Sequence, residues 1–450
     1  MDAIRPAVLR VASAAGFSGD RSDAALPLVR ELQARGGPAV LIFETLAERT
    51  LALAQLARRA DPESGYEPLL DELLRPVLAD CMASGIAIVS NFGAANPLGA
   101  ARRIRALAAE LGLAAPRIAM VLGDDLSGPA QRPFLEKALG MVDSSAWVSA
   151  NAYQGAAPIA EALRAGAQIV VCGRVADPAL VLGPAMAHFG WAPDDWDRLA
   201  RGTMAGHLLE CGAQVSGGYY ADPGYKDVPG LAQLGYPIAE IDADGGCVIT
   251  KPPGSGGCID RHTVTEQLLY ELHDPAAYLT PDVVADVSAA ELHEEGPDRV
   301  RLTGVRGHPR PDTLKVNVCQ PSGWLAEGEI SYAGPRAEGR ARLAAQVLRE
   351  RLPDLALRVD LIGVASLLGD DAGLWLDAQP TGAARDVRLR IAAQHADKAT
   401  AERLCRELNA LYTCGPAGGG GVRTALRQRL ALVSCLLPRE AAPAWFEFLE

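Results

Sequence analysis

The chain has 450 residues, of which 49% are hydrophobic and 22% charged, so it can bury at least one large core. Its net charge of −12, without a dense Lys/Arg run, excludes a general nucleic-acid surface, because phosphate neutralisation needs clustered cations. No run approaches the roughly 18 apolar residues of a membrane span. The nine scattered cysteines, without CxxC, and the absence of a signal-peptide pattern predict a cytoplasmic protein.

The first 190 residues alternate short apolar runs with longer helical patterns, which predicts a parallel α/β sheet. Most of the runs are apolar throughout, as expected for strands that helices cover on both faces. The predicted strands are Val8–Ala12, Ala39–Phe43, Ile86–Asn91, Ile118–Leu122, Ala146–Ala150 and Gln168–Cys172. We therefore predict an α/β fold with a Rossmann-like, mostly parallel sheet in residues 1–190.

Polar or glycine-rich loops follow nearly every predicted strand. Ligands of open parallel sheets bind outside the carboxyl ends of the strands, so these loops predict one composite crevice. Asp124 and Asp177 are the candidate catalytic acids of these loops. The candidate substrate ligands are Asp20, Asn91, Asn96 and Arg174. Each of these residues alone is also typical of a helix cap or a turn.

The alternation weakens from about residue 191, where Gly, Pro and Asp become frequent, and this change predicts an irregular α+β portion over residues 191–335. Residues 336–450 return to βα spacing, which predicts a small α/β sandwich-like portion. Within it, Gly418–Gly421 is interpreted as a flexible turn or a second anion-binding loop. Val422–Leu437 is interpreted as a helix or a strand.

Three potential acid–base groups or ligands occur together in the middle portion. His207, Glu210 and Cys211 are spaced i, i+3 and i+4, which places them on one face if this segment is helical. They could supply acid–base or nucleophilic catalysis, with His207 activating Cys211. They could also provide three ligands to a zinc ion. The structural alternative is a buried cysteine beside a histidine with an ordinary packing role.

The segment Lys251–Gly257 combines a lysine with a serine and three glycines before a helix. Bare backbone N–H groups near a positive charge can bind a phosphate or a carboxylate, which makes Lys251, Gly254, Ser255, Gly256 and Gly257 candidate substrate ligands. The alternative is a tight Pro-Gly turn that enters a core helix. The order of residues does not match a P-loop.

The helix after this loop is predicted from Val264, Leu268 and Leu272, which share one face. Thr263, paired with Glu266, is its predicted N-cap, and Asp260 is the alternative cap.

Six strings, taken in this order, resemble the acyclic terpene utilisation AtuA family over most of the chain. The strings begin at Ala15, Asn91, Gly123, Cys172, Gly206 and Thr250 and read AGFSGD, NFGAANPL, GDD, CGRVADP, GHLLECG and TKPPGSGG. The chain resembles the stand-alone core of the family. The resemblance implies a place in the catabolism of acyclic terpenes such as citronellol and geraniol, which proceeds through CoA thioesters of branched acids. Membership does not by itself assign a reaction.

We therefore expect a catabolic enzyme that acts on a branched acyl or hydroxyacyl compound, either free or as a CoA thioester, by hydration, dehydration or carbon–carbon bond chemistry. One alternative is a non-catalytic binding or scaffold subunit of a pathway, and another is a metal-dependent hydrolase or lyase that uses His207, Glu210 and Cys211. The sequence identifies no cofactor. We expect a homo-oligomer from the usual habits of enzymes.

Overall fold

The computed structural model describes residues 8–140 and 144–450. The chain forms a mixed α/β structure in which strands and helices alternate through the first two hundred residues. The strands are β1 (Leu9–Ser13), β2 (Ala39–Phe43), β3 (Ala87–Ser90), β4 (Ile118–Leu122), β5 (Ser149–Ala152), β6 (Ile169–Cys172), β7 (Ile238–Ile241), β8 (Cys247–Thr250), β9 (Tyr278–Leu279), β10 (Val284–Asp286), β11 (Glu291–Gly296), β12 (Arg299–Thr303), β13 (Arg306–His308), β14 (Thr313–Ala333), β15 (Leu357–Ile362), β16 (Asp386–His395), β17 (Gly420–Pro438) and β18 (Trp445–Phe448).

Several of the helices bury an apolar stripe in the protein core. The helices are α1 (Ala25–Arg35), α2 (Glu48–Ala60), α3 (Leu70–Leu74), α4 (Leu78–Ser84), α5 (Pro97–Glu110), α6 (Arg132–Leu139), α7 (Ala157–Arg164), α8 (Ala179–Phe189), α9 (Trp196–Glu210), α10 (Arg261–Leu269), α11 (Ala337–Arg351), α12 (Leu374–Ala378) and α13 (Lys398–Cys414). Among the described residues, none of these helices is long and apolar enough to cross a membrane.

The chain divides into two compact units. The larger unit contains the described residues up to Cys319 together with Leu432–Glu450, and the smaller unit is Gln320–Ala431. The three portions predicted from the sequence, with boundaries near residues 190 and 335, stay a prediction.

A ten-stranded mixed sheet forms the centre of the larger unit, in the order β11-β12-β8-β7-β1-β2-β3-β6-β4-β18. The five central strands, from β1 to β4 in that order, pair in parallel, and both faces of these strands are buried. The strands at either side add antiparallel pairs. The predicted parallel strands at β1, β2, β3, β4 and β6 are therefore confirmed.

The strand predicted at Ala146–Ala150 does not join the parallel sheet. The structure has β5 at Ser149–Ala152, where it pairs antiparallel with β14, so that Asn151 lies opposite Asn317. The sequence prediction was wrong on this point, because an apolar run does not specify its partner strand. The pairing brings residues from a distant part of the chain next to the loop after β5.

The glycine-rich loop after β8 makes the contacts of a tight turn. Lys251 is 3% exposed, and its Nζ lies 3.0 Å from Asp298 Oδ2 and donates to the Ser255 carbonyl at 3.0 Å. The Ser255 N–H donates to the Pro252 carbonyl within the loop, and the N–H groups of Gly256 and Gly257 donate to the carbonyls of Gln233 and Pro229. Because these N–H groups already have acceptors, the structure favours the tight Pro-Gly turn over the anion-binding loop, the two interpretations that the sequence left open. Anion binding by this loop stays a prediction.

Replacing Gly256 by Ala should destabilise the larger unit by about 1–3 kcal/mol, because overpacking forces the backbone to shift. A Cβ atom on Gly256 would lie 2.0 Å from the Gly230 carbonyl oxygen. Gly128→Ala is the matched control, since its Cβ would meet only the end of the flexible Gln131 side chain. Thermal unfolding midpoints of the two variants test the difference. Equal midpoints would contradict the close packing of this turn.

Helix α10 begins at the alternative cap. The Asp260 carboxylate accepts from the backbone N–H groups of His262 and Thr263 at 2.8 and 3.0 Å. Thr263 is instead the reciprocal member of this capping box, so the prediction that Thr263 is the cap was wrong. Val264 and Leu268 are buried, as the helical pattern predicted.

The smaller unit is built from antiparallel strands and two long helices. In it, β16 pairs antiparallel with both β14 and β15. The apolar faces of α11 and α13 contribute to its core, which includes Leu348 and Leu404. The segment Val422–Leu437 lies within strand β17, so of the two interpretations from the sequence the strand is confirmed and the helix is wrong.

Candidate active site at the carboxyl ends of the parallel strands

A cavity of about 620 Å³ opens in the larger unit beside the loops that follow β2 and β6. It combines charged side chains with an apolar wall. The charged and tyrosine side chains are those of Glu48, Tyr153, Arg174, Asp177, Glu210, Glu271, Tyr278 and Lys315. The apolar wall includes Leu46, Pro178, Leu279, Pro281, Leu314 and Leu436. The cavity therefore fits a molecule with both a polar and an aliphatic part.

Arg174 is held rigidly at the wall of this cavity. It is 1% exposed, and its guanidinium donates to the carbonyls of Leu46 and Val175 and to the Asp177 carboxylate. Its backbone N–H donates to Asp124 Oδ2 at 2.9 Å. A guanidinium fixed by this many acceptors keeps a constant direction, which suits it to orient an oxygen atom of a ligand.

Tyr153 contacts both cationic side chains of the cavity. The Arg174 guanidinium carbon lies 4.6 Å from the centre of its ring, and the Lys315 ammonium lies 4.8 Å from it. The Tyr153 hydroxyl donates to Glu48, and it accepts from Asn317 Nδ2 at 3.1 Å. Both cations are thus within the range of a cation–π contact with this ring.

Glu210 and His207 form a buried pair at the end of α9. The two side chains meet at 2.8 Å between His207 Nδ1 and Glu210 Oε1. The second carboxylate oxygen, Oε2, is buried and has no hydrogen-bond partner among the described residues. Because an unpaired buried oxygen costs free energy, this atom is a candidate for a functional contact. Glu210 is also one of the residues that line the cavity, so its carboxylate is a candidate group for the reaction.

Cys211 follows Glu210 but has a different environment. Burial, with the neighbouring charge of Glu210, raises the pKa of its thiol to about 12. The thiol is therefore protonated at neutral pH, and nucleophilic cysteine chemistry requires the thiolate. The part of the chain that the structure describes also contains no group of three or more His, Cys, Asp or Glu residues that could hold a metal ion.

Asp124 and Asn91 hold the loops at the carboxyl ends of the strands. Asp124 Oδ2 accepts from the Arg174 N–H and from Asn151 Nδ2, both at 2.9 Å. Asn91 donates to Glu44 Oε1 at 2.6 Å and accepts from the Thr45 N–H at 2.8 Å. Both side chains are buried and are outside the cavity lining. The described contacts therefore make them supports of the loops.

The remaining two strand-end candidates, Asp20 and Asn96, also have hydrogen-bond partners within the protein. Asp20 accepts from the Gly16 N–H at 2.8 Å and from the Tyr236 hydroxyl. Asn96 caps α5 by accepting from the Gly99 N–H at 3.0 Å, which is the cap role that the sequence analysis gave as an alternative. Arg174, Asp177 and Glu210 are the predicted residues that the structure brings together at the cavity.

Replacing Asp124 by Asn should flatten the pH dependence of stability. Burial raises the pKa of Asp124 from 3.8 to about 6, so the fold favours its protonated form. The resulting stability is present at low pH and is lost as the pH rises from about 4 to about 6, at a cost on the order of 3 kcal/mol. The amide of the variant does not ionise, so urea midpoints at pH 4 and pH 7 should differ less in the variant. The exposed neighbour Asp125→Asn should keep the wild-type difference.

Sequence reasoning missed several residues of the cavity. Glu48 and Tyr153 lie shortly after β2 and β5, so the rule that identified Arg174 could have found them. Lys315 reaches the cavity through the pairing of β14 with β5, where the Tyr153 N–H donates to the Lys315 carbonyl at 2.9 Å. No local pattern near Lys315 or Tyr278 could have indicated their place.

A second cavity, of about 480 Å³, is lined by Arg201, Arg301 and Arg306 together with Asp242 and Asp244. Two of its arginines already have partners. Arg201 donates to the Asp244 carbonyl at 2.9 Å, and Arg301 donates to Glu295. The first cavity has the stronger chemical case, because Glu210, one of its lining residues, carries the unpaired carboxylate oxygen.

Comparison with known proteins identifies one family. The family model described as "Acyclic terpene utilisation family protein AtuA" matches residues 9–448. A search of curated proteins gives no match. The family model covers nearly the whole chain, including every residue of the candidate site, and the resemblance found in the sequence is confirmed. The chain therefore belongs to the acyclic terpene utilisation AtuA family.

Proposed function

We propose that this protein is an acid–base enzyme of acyclic terpene utilisation that acts on a branched acyl or hydroxyacyl compound by hydration or dehydration. Membership of the AtuA family suggests the role in acyclic terpene utilisation. The observation that carries the proposed reaction is the buried and unpaired Oε2 of Glu210, a residue that lines the cavity. A carboxylate oxygen in this position can take a proton from a ligand or return it.

The other cavity residues would bind the polar end of the substrate. Arg174 and Lys315 carry positive charge beside Tyr153 and would orient a carbonyl or carboxylate oxygen. The wall that contains Leu279, Leu314 and Leu436 would hold the aliphatic part. A CoA thioester is one form in which such a substrate could be presented, with most of its CoA part outside the cavity.

We interpret the parallel strands β1, β2, β3, β6 and β4 as a Rossmann-like core, since the loops after β2 and β6 carry candidate site residues. We further infer a cytoplasmic homo-oligomer from the cysteine usage and the habits of catabolic enzymes.

A thermal-shift screen tests the substrate class. The purified protein is heated with CoA, with straight and branched acyl-CoA thioesters, and with the free acids, each with and without zinc or magnesium. A ligand at a hundred times its Kd stabilises the fold by about 2.7 kcal/mol, so branched acyl or hydroxyacyl compounds should raise the midpoint. Lys315→Met should weaken the shift without changing the fold. No shift with any acyl compound would contradict the proposal.

A further inference from the structure

His207 has hydrogen-bond partners on both nitrogens of its ring. Nε2 lies 3.2 Å from the Leu268 carbonyl oxygen, and Nδ1 lies 2.8 Å from Glu210 Oε1. A carbonyl oxygen can only accept, so Nε2 carries a hydrogen atom. The contact at Nδ1 is a hydrogen bond only if one proton lies between Nδ1 and Oε1. The pair therefore holds either an imidazolium with a carboxylate or a neutral imidazole with a carboxylic acid.

The surrounding charges favour the imidazolium. Burial lowers the pKa of His207, but the charge of Glu210 and the hydrogen bond to it raise the pKa above its usual value. The Leu268 carbonyl and the charge of Glu271 act in the same direction. The Tyr278 ring, 5.1 Å from the imidazole ring, covers it as a neutral neighbour. The two ring contacts and these charges together favour an imidazolium that donates through both nitrogens.

Helix α10 fixes the imidazole in this position. His207 is 0% exposed, and besides the bond from Nε2 to Leu268, its own carbonyl accepts from Gln267 Nε2 at 3.0 Å. Two consecutive residues of α10 thus bind the backbone and the side chain of His207. Because His207 in turn binds Oε1, the orientation of the Glu210 carboxylate is set by residues outside the cavity lining.

We propose that His207 is a positioning residue that occupies Oε1 of Glu210 and leaves Oε2 as the atom that exchanges a proton with the substrate. This inference rests on the proposed function. In the step, a C–H or O–H bond of the substrate breaks, its electron pair stays on the substrate, and an Oε2–H bond forms. The proton on Nδ1 continues to donate to Oε1 throughout. The positive charge that the pair gains is balanced by the negative charge that the substrate gains.

His207→Gln tests the positioning role in the active protein. The amide can donate a hydrogen bond to Oε1 but brings no charge. We expect turnover to fall at least tenfold with KM unchanged, and the acidic limb of the rate profile to move to higher pH, because the carboxylate loses the neighbouring cation. His262→Gln is the matched control, since His262 is exposed in the first turn of α10. A variant with the wild-type rate profile would overturn the proposal.

Nitrogen-15 NMR of histidine-labelled protein tests the same pair without a substrate and without a His207 variant. We expect one histidine to carry protons on both ring nitrogens at neutral pH and to lose the proton on Nδ1 in the Glu210→Gln variant. An unchanged histidine spectrum in this variant would overturn the proposal. Failure of this inference can be told apart from failure of the proposed function. Wild-type turnover by Glu210→Gln would contradict both, whereas a wild-type rate profile for His207→Gln together with an inactive Glu210→Gln would contradict the positioning role alone.

Discussion

Replacing Glu210 by Gln should lower the turnover of the acyl or hydroxyacyl substrate by about 10²- to 10⁴-fold, which is the usual contribution of a general acid or base. The substitution keeps the shape of the side chain, and its amide can still bond to His207 Nδ1. It removes the unpaired carboxylate oxygen of a residue that lines the cavity, which is the proposed proton acceptor. The steady-state rate with the ligand that stabilises the protein most is the measurement.

The adjacent Cys211→Ser is the matched control for this variant. Burial raises the pKa of the Cys211 thiol to about 12, so serine replaces a protonated group of similar size. We expect Cys211→Ser to retain the wild-type rate. An inactive Cys211→Ser together with an active Glu210→Gln would reverse the assignment and favour a cysteine nucleophile.

Replacing Arg174 by Met should destabilise the larger unit by about 3–5 kcal/mol, the range for removing one partner of a buried charge network. The change leaves the carbonyls of Leu46 and Val175 without their donor. Burial raises the pKa of Glu44 to about 7, and the Arg174 charge acts against this rise. The change also removes that charge. Urea unfolding at pH 8 measures this loss.

The loss caused by Arg174→Met should be smaller at pH 5. Glu44 is then protonated in the fold, so the missing cation matters less, whereas at pH 8 the variant must either bury an unpaired carboxylate or take up a proton. Lys315→Met is the control, because Lys315 is half exposed and its pairing with Glu48 at 3.6 Å is worth about 0–1 kcal/mol. Equal destabilisation by the two variants would show that Arg174 has no special role in holding these loops.

The central sheet was largely predictable because its strands are continuous apolar runs. The bounds of β2 and β4 match the predicted ones, and the buried faces of these strands explain the pattern. The partner of β5 was not predictable, since the pairing of Asn151 with Asn317 depends on chain folding over a long distance. The place of Lys315 at the cavity was not predictable for the same reason, because it depends on the pairing of β14 with β5.

The candidate site was predictable where the residues lie at the ends of parallel strands or on one helical face. Arg174 and Glu210 belong to these two classes and line the same cavity. Lys251 shows what a local pattern leaves out. Its charge and the glycines that follow it in the sequence indicate an anion site. The sequence does not reveal that Asp298 contacts the Lys251 ammonium at 3.0 Å. The partner of a charged side chain is set by tertiary structure, which local patterns do not encode.

Incorporation of solvent deuterium tests Glu210-dependent proton transfer most directly. The protein is incubated in D₂O with the acyl and hydroxyacyl compounds that raise its unfolding midpoint, and mass spectrometry follows the label in the recovered compounds. We expect the wild-type protein and Cys211→Ser to introduce deuterium at one position of the ligand, and Glu210→Gln to introduce none above the uncatalysed rate. Equal incorporation by wild type and Glu210→Gln would contradict the assignment of Glu210 as the proton-transfer group.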